Sequence, residues 1–204
     1  MFLRRLRTSA ALRRGANDGG VLAALRAELA HELSSSAPSA PPSFHSEDFA
    51  TVSDAPRAQD VLLRRRADSE EVLVSALLAP LQFVDQAPVP RAALMKVFVS
   101  RLGARPVLHF DCRTFLVGEN VDAADYAINA VRYHSSPGDA GDKYEGPKFR
   151  DLDPRLQAAL QEYLVARGVD SKLTSSILHH LLEKERTQYV NWLKTLEEAF
   201  AKDH

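Results

Sequence analysis

Residues 144–168, YEGPKFRDLDPRLQAALQEYLVARG, read as an irregular Gly/Pro-bearing entry followed by a helix whose two ends are both encoded. Asp153 is placed to cap a helix whose first position is Pro154: the carboxylate can accept from the unpaired N–H groups of the first turn, and proline has no N–H to leave unpaired. Gly168 marks the stop, and Arg167 in the last turn complements the negative end of the helix dipole. Between these signals Leu156, Ala159, Leu160, Tyr163 and Leu164 recur at helical spacing and give the predicted helix, 154–167, one apolar face. A second helix is predicted within a few residues, from Ser171 to about Ala201. Its stripe runs through Leu173, Ile177, Leu178, Leu181, Leu182, Tyr189, Trp192, Leu193, Leu196 and Phe200, with polar residues on the other face. The chain therefore closes on a helical hairpin with one wet side, and its dry side needs a partner layer.

That layer is predicted upstream. From Phe44 to about Ser136 the runs 48–52, 60–66, 71–78, 93–102, 107–115 and 126–134 are rich in β-branched and aromatic residues. Turn-forming clusters such as Ser53-Asp54-Ala55-Pro56 and Gly103-Ala104-Arg105-Pro106 separate them. The connections are too short to house helices, so neighbouring strands should run antiparallel, in a meander of six or seven. Several runs alternate: Val97, Val99 and Arg101 oppose Lys96, Phe98 and Ser100, while Val107, His109 and Asp111 oppose Leu108, Phe110 and Cys112. One face is more apolar than the other and requires a cover. Left bare, it would exceed the few hundred Å² of apolar patch that soluble monomers tolerate, so the helices or another subunit must lie on it.

At the other end, residues 1–17, MFLRRLRTSAALRRGAN, hold five arginines, two hydroxyl residues and no acid. Coiled into a helix, the arginines spread around Phe2, Leu3, Leu6 and Leu12, the pattern of a mitochondrial targeting presequence, which we place at 1–20. A basic nucleic-acid-binding arm is the other reading of such a run. Across all 204 residues 26 basic side chains meet 27 acidic ones, a net charge of −1; without residues 1–20, which contain five Arg and one Asp, 21 meet 26 and the charge is −5. Residues 21–33, VLAALRAELAHEL, form a short predicted helix with Leu22, Leu25, Leu29 and Leu33 along one side. At about 13 residues it is marginal alone and should dock, most simply on the C-terminal helix. Residues 34–43 are a Ser/Pro linker. A single domain is thus expected over 21–204, and a lone cysteine, Cys112, excludes an internal disulfide framework.

Chemistry is sparse. The sequence has no glycine-rich phosphate loop, no CxxC, no GxSxG and no HExxH. Cys112 has His109 and Asp111 near it in sequence, but residues 109 and 112 are an odd spacing apart and belong on opposite faces of a strand; a buried structural thiol is expected. His179, His180 and Glu183, followed by Lys184, Glu185 and Arg186, read as a solvated polar helix face rather than a zinc site, and His31 with Glu28 and Glu32 likewise. Arg64, Arg65 and Arg66 read as the charged, exposed edge of a strand, or as a nucleic-acid contact. The loop 135–148, SSPGDAGDKYEGPK, carries Asp139, Asp142 and Glu145 against two lysines and is the candidate partner-binding element. No catalytic residue, metal or cofactor is expected.

The quoted C-terminal stretch, with TQYVNWLKTLEEAF at 187–200 and LHFDCRTF at 108–115, resembles the mitochondrial acidic matrix protein family, also called the mitochondrial glycoprotein family. The elements Y-x-G-P-x-F, L-D-x-x-L-Q, Y-L-x-x-R-G and Y-x-x-W-L stand in the family's order and spacing. The resemblance implies an α+β fold, a twisted antiparallel sheet with one N-terminal and two C-terminal helices, assembled as a homotrimeric ring. It further implies a non-enzymatic, multi-ligand matrix protein that binds itself and basic RNA-binding or ribosome-associated proteins. Such a protein would be an adaptor or chaperone-like scaffold that modulates RNA processing, translation and so oxidative phosphorylation. In a ring, Leu22, Leu25, Leu29, Leu33, Leu181, Tyr189, Trp192 and Leu196 would lie at or beside the subunit boundary, and the acidic loop would repeat on one side. The chain departs from the family in being only mildly acidic. Direct nucleic-acid binding is the alternative.

Overall fold

The computed structural model describes residues 18–34, 44, 46–67, 69–101, 106–118, 123–135 and 144–202. The elements are α1 (Asp18–Ser34), β1 (Ala50–Ser53), β2 (Asp60–Ala67), β3 (Glu70–Leu78), β4 (Phe83–Val84), β5 (Ala87–Pro88), β6 (Ala93–Arg101), β7 (Val107–Leu116), β8 (Ala124–His134), a 3₁₀ turn (Phe149–Asp151), α2 (Pro154–Val165) and α3 (Ser171–Lys202). Of the expected presequence at 1–20, residues 1–17 lie outside the described residues, as do 35–43 of the expected linker and loop residues 136–143; residues 18–20 and Ser34 belong to α1.

Six strands form one antiparallel sheet in the order β1-β2-β3-β6-β7-β8, the meander the alternation predicts. The sheet's one departure from chain order is a small hairpin, β4–β5, which leaves between β3 and β6 and turns through Asp85 and Gln86, both at positive φ (49° and 65°). Its strands are two residues each, too short for a periodic signal. The core follows the period of two. Val61 and Leu63 on β2, Val72, Val74 and Ala76 on β3, Met95, Val97 and Val99 on β6, and Phe110 and Cys112 on β7 all point to one side and are buried. Leu164 of α2 and Leu173, Ile177, Leu178 and Leu181 of α3 cover them. At about 25 cal/mol per Å² of apolar area, a wholly buried side chain such as Phe110 contributes roughly 2–3 kcal/mol.

A β-bulge sets the other face. Asp111 pairs with Ala130 but Cys112 with Ile128, so Asn129 is extra and the alternation of β8 inverts there. Ala124, Tyr126 and Ile128 point into the core before the bulge and Val131 after it, which sends Arg132 and His134 to the face turned away from the helices.

The helix ends form as their residues dictate. Asp153 Oδ1 accepts from Arg155 N at 2.9 Å with Pro154 at the first position. Gly168, at φ +79°, closes α2, with Gly168 N donating to Val165 O and Val169 N to Leu164 O. Asp170 Oδ1 accepts from Leu173 N and starts α3. Buried Tyr126 donates its hydroxyl to Val169 O at 2.9 Å, tying β8 to the turn between the two helices. α1 lies not on the sheet but along α3.

Candidate partner-binding surfaces and polar clusters

The residues expected at a subunit boundary separate into three groups. Leu22, Leu25 and Leu29 are half-buried along α3, where Arg26 pairs with Glu197 at 2.9 Å and Tyr189 donates to Glu28 at 3.1 Å. Tyr189 and Leu196 are half-buried, and Leu33 and Trp192 are exposed, at 51% and 55%, with the indole stacked on Tyr189. Leu181 departs from the expectation: it is 1% exposed in its own chain's core, because the turn of α3 that carries it faces the sheet and not the solvent. A second apolar group was not singled out in the sequence: Leu81, Phe83 and Val84 on and beside the β4–β5 hairpin, with Phe115 and Val117 at the end of β7, all 45–62% exposed. Leu81, Phe83 and Val84 stand within the proline-bounded run 80–90, PLQFVDQAPVP, which was their sequence signal.

Of the acidic loop, Asp139 and Asp142 lie outside the described residues. Glu145 is exposed and accepts from Arg132 Nε at 3.0 Å. Arg132 also pairs with Asp111, so one guanidinium joins β7, β8 and the segment 144–148. Next to it His109 is 7% exposed, stacked on Phe98 with centroids 4.4 Å apart, and its Nδ1 is 3.2 Å from His134 Nε2. Its Nε2 is 3.2 Å from Asp111 Oδ1. Burial, then the fields of His134, Lys96 and Arg132, push its pKa down to about 4, against a smaller opposing pull from Glu145. Cys112 is on the other face, buried, with its thiol pushed up to about 12 by burial.

The helix face read as solvated is wet only in part. His179 is exposed, but His180 and Lys184 are each 5% exposed, because the face of α3 that holds Ile177 and Leu181 continues through them. They meet Asp54 in the β1–β2 connection: Lys184 Nζ is 2.6 Å from Asp54 Oδ1 and 2.8 Å from Asp60 O, and His180 Nε2 is 2.9 Å from Asp54 Oδ2. One turn on, Gln188 Nε2 donates to Pro56 O and Ala58 O. Burial raises the pKa of Asp54, but hydrogen bonds and charge from Lys184 and His180 outweigh it, and the carboxyl sits below its usual range. The pairing is structural: it fastens α3 to the sheet's first loop.

The arginine triplet is also redistributed. β2 is the second strand of the sheet, not its edge. Arg65 faces the helices, with Nη1 beside Gly168; Arg66 pairs with Glu71 at 2.8 Å; and Arg64 takes the opposite face. No single basic surface results from the three. Among the described residues no group of three or more His, Cys, Asp or Glu is placed to hold a metal, and no helix is long and apolar enough to cross a membrane.

The model of the mitochondrial glycoprotein family matches residues 85–200, more than half of the chain. The chain belongs to the mitochondrial glycoprotein family. The match runs from the β4–β5 hairpin to near the end of α3. Over 56 residues the chain is 41% identical to the mitochondrial acidic protein mam33 of Schizosaccharomyces pombe, covering 28% of this chain and 21% of that protein. Over 158 residues it is 25% identical to an uncharacterized mitochondrial protein of Arabidopsis thaliana, covering 72% of this chain and 60% of the relative. The matches thus span at most about three-fifths of these curated relatives. Two solved structures share the fold. The Trypanosoma brucei p22 protein has a TM-score of 0.66 at 21% identity, over 91% of this chain and 100% of p22. A Leishmania major protein of unknown function, described as a sequence homologue of human p32, has a TM-score of 0.67 at 21% identity, over 91% and 99%. For this family member the three-helix, six-strand α+β architecture is therefore shared with solved relatives.

Proposed function

We propose that the chain works in the mitochondrial matrix as a non-enzymatic docking protein: identical copies, three in the family reading, close into a ring that binds basic proteins, RNA-binding or ribosome-associated ones among them, and so modulates RNA processing and translation. The observation that carries the assembly is the uncovered apolar surface. Phe83 (55%), Val84 (62%), Leu33 (51%) and Trp192 (55%) stand exposed on a chain whose core is otherwise filled. A ring would cover part of that surface and repeat Glu145 and the loop before it around one axis, summing a negative potential. A scaffold role also fits the use of charge: the buried cluster at Asp54 and the half-exposed one at Arg132 join elements of the fold to one another.

Sedimentation of the chain without residues 1–20, at physiological salt, tests the assembly. A single species of three copies is expected, shifted toward smaller species by Trp192→Glu or Phe83→Asp; a monomer at high concentration overturns it. Capture of the tagged protein from mitochondria, with and without nuclease, tests the partner class: basic proteins retained after nuclease support docking. Direct nucleic-acid binding would instead show as affinity that falls steeply with salt.

A further inference from the structure

The contact between His109 and His134 is built from parts that leave room for one proton between the rings. His109 Nδ1 and His134 Nε2 are 3.2 Å apart, a hydrogen bond when one nitrogen donates and the other accepts, and a repulsion of two N–H groups when both rings are charged. Among the described residues, four elements present charged groups to the pair. β6 presents Lys96 beside the stacked Phe98, β7 presents Asp111, β8 presents Arg132, and the segment 144–148 presents Glu145. Arg132 engages Asp111 Oδ2 and Glu145 Oε2, and Asp111 Oδ1 lies 3.2 Å from His109 Nε2, on the far side of that ring from His134, so no carboxylate oxygen stands between the two facing nitrogens. His109 cannot leave: it is 7% exposed beneath Phe98. His134 can, being half-buried and the last residue of β8, where it pairs with Val107.

We propose that the His109–His134 contact is an acid-operated latch: when both rings are charged, each with two N–H groups, His134 swings to solvent and the last rungs of the β7–β8 ladder, Leu108 with Tyr133 and Val107 with His134, come undone while the rest of the sheet stays closed. A single charge on the pair is tolerated, because an N–H of one ring can still donate to a bare nitrogen of the other. The second opens the latch. The low pKa of His109 agrees with this order and places opening well below neutral pH. Arg132 sits two residues before His134, so the opening loosens the same guanidinium that holds Glu145, and the segment leading into α2 should feel it.

The test is hydrogen exchange by mass spectrometry on the full chain, corrected for the pH dependence of intrinsic exchange, with β3 as an internal control. Protection of residues 131–135 relative to β3 is expected to fall about tenfold or more between about pH 7 and pH 4.5 in the wild type. His109→Gln, which keeps a neutral hydrogen-bonding group in place, and His134→Gln are each expected to abolish the pH step. Should His109→Gln not fold, the half-exposed His134→Gln decides. NMR of the imidazole carbons supplies a second readout: His109 is expected to stay neutral to below about pH 5. Titration of His109 near its ordinary value, a pH step that persists in His134→Gln, loss of protection in β3 at the same pH, or no step at all would each overturn the latch.

Discussion

Removing the Asp54 carboxylate strands a buried ammonium and takes the neighbour from a buried imidazole. In Asp54→Ala, Lys184 (6% side-chain exposure) keeps only the Asp60 carbonyl at 2.8 Å, and His180 (5%) loses its neighbour at 2.9 Å. Breaking a buried pair from one side costs about 3–5 kcal/mol, since the remaining charge must be hydrated in place or neutralised. Against a total stability of about 5–15 kcal/mol this is a large share, and with a urea m-value near 2 kcal/mol/M it moves the midpoint down by about 2 M. Far-UV circular dichroism at a fixed protein concentration reads it, because any assembly makes the midpoint concentration-dependent. The double variant Asp54→Ala/Lys184→Met removes the orphaned ammonium along with its partner and should be milder than Asp54→Ala alone. Acid provides the same test without mutation. The folded pKa of Asp54 lies below its unfolded value of 3.8, so its contribution is present above that pH and is lost as the pH falls through the folded value. Asp54→Ala should accordingly flatten the acid limb of the stability curve. A cost under about 1 kcal/mol, or a double variant no milder than the single one, would refute the view that these charges act as a buried clasp.

Gly168→Ala should destabilise by about 1–2 kcal/mol, because the residue sits at φ +79° and a Cβ there would meet Arg65 Nη1 at 2.9 Å and the Phe49 ring at 3.3 Å; thermal denaturation measures it. Cys112 should resist a thiol reagent at neutral pH in the folded protein and react at once in denaturant, since burial pushes it up to about 12. Tyr126→Phe should cost about 1 kcal/mol in urea unfolding by leaving Val169 O without its donor. Asp153→Ala should cost about 1 kcal/mol through loss of the α2 cap, with Asp153→Asn recovering most of it.

The architecture was legible where a period repeats long enough to be heard. Nine residues of alternation placed β3 and β6 within a residue or two, and Asp153, Pro154 and Gly168 marked α2 at both ends. The β4–β5 hairpin was not legible, since two-residue strands carry no period and the turn at Asp85–Gln86 uses positive φ without glycine. The polar clusters were missed for a different reason. A lysine and a histidine on a helix look solvated until a carboxylate far away in sequence is folded beneath them. Asp54 lies 130 residues before Lys184. One clue was available: positions 177, 181, 184 and 188 continue one helical face, so Lys184 and Gln188 sit where the stripe of apolar residues was already pointing down. His109 and His134 needed knowledge of the bulge at Asn129, because without that extra residue Arg132 and His134 would turn inward. The arginine triplet shows the same limit: three adjacent charges on a strand must divide between two faces, and only the strand order says that neither belongs to an edge.

The lodging of α1 along α3 has a consequence for how the molecule is made. Arg26 finds Glu197 across 171 positions, and Glu28 finds Tyr189 across 161, so α1 leaves the ribosome long before its principal mate, α3, has been made. The hairpins of the sheet can form as they appear, being short in loop length, whereas the leucines of α1 must wait in the open until α3 has emerged. During that interval Leu22, Leu25 and Leu29 are the natural handhold for a chaperone, and a chain truncated before Tyr189 would offer that handhold indefinitely.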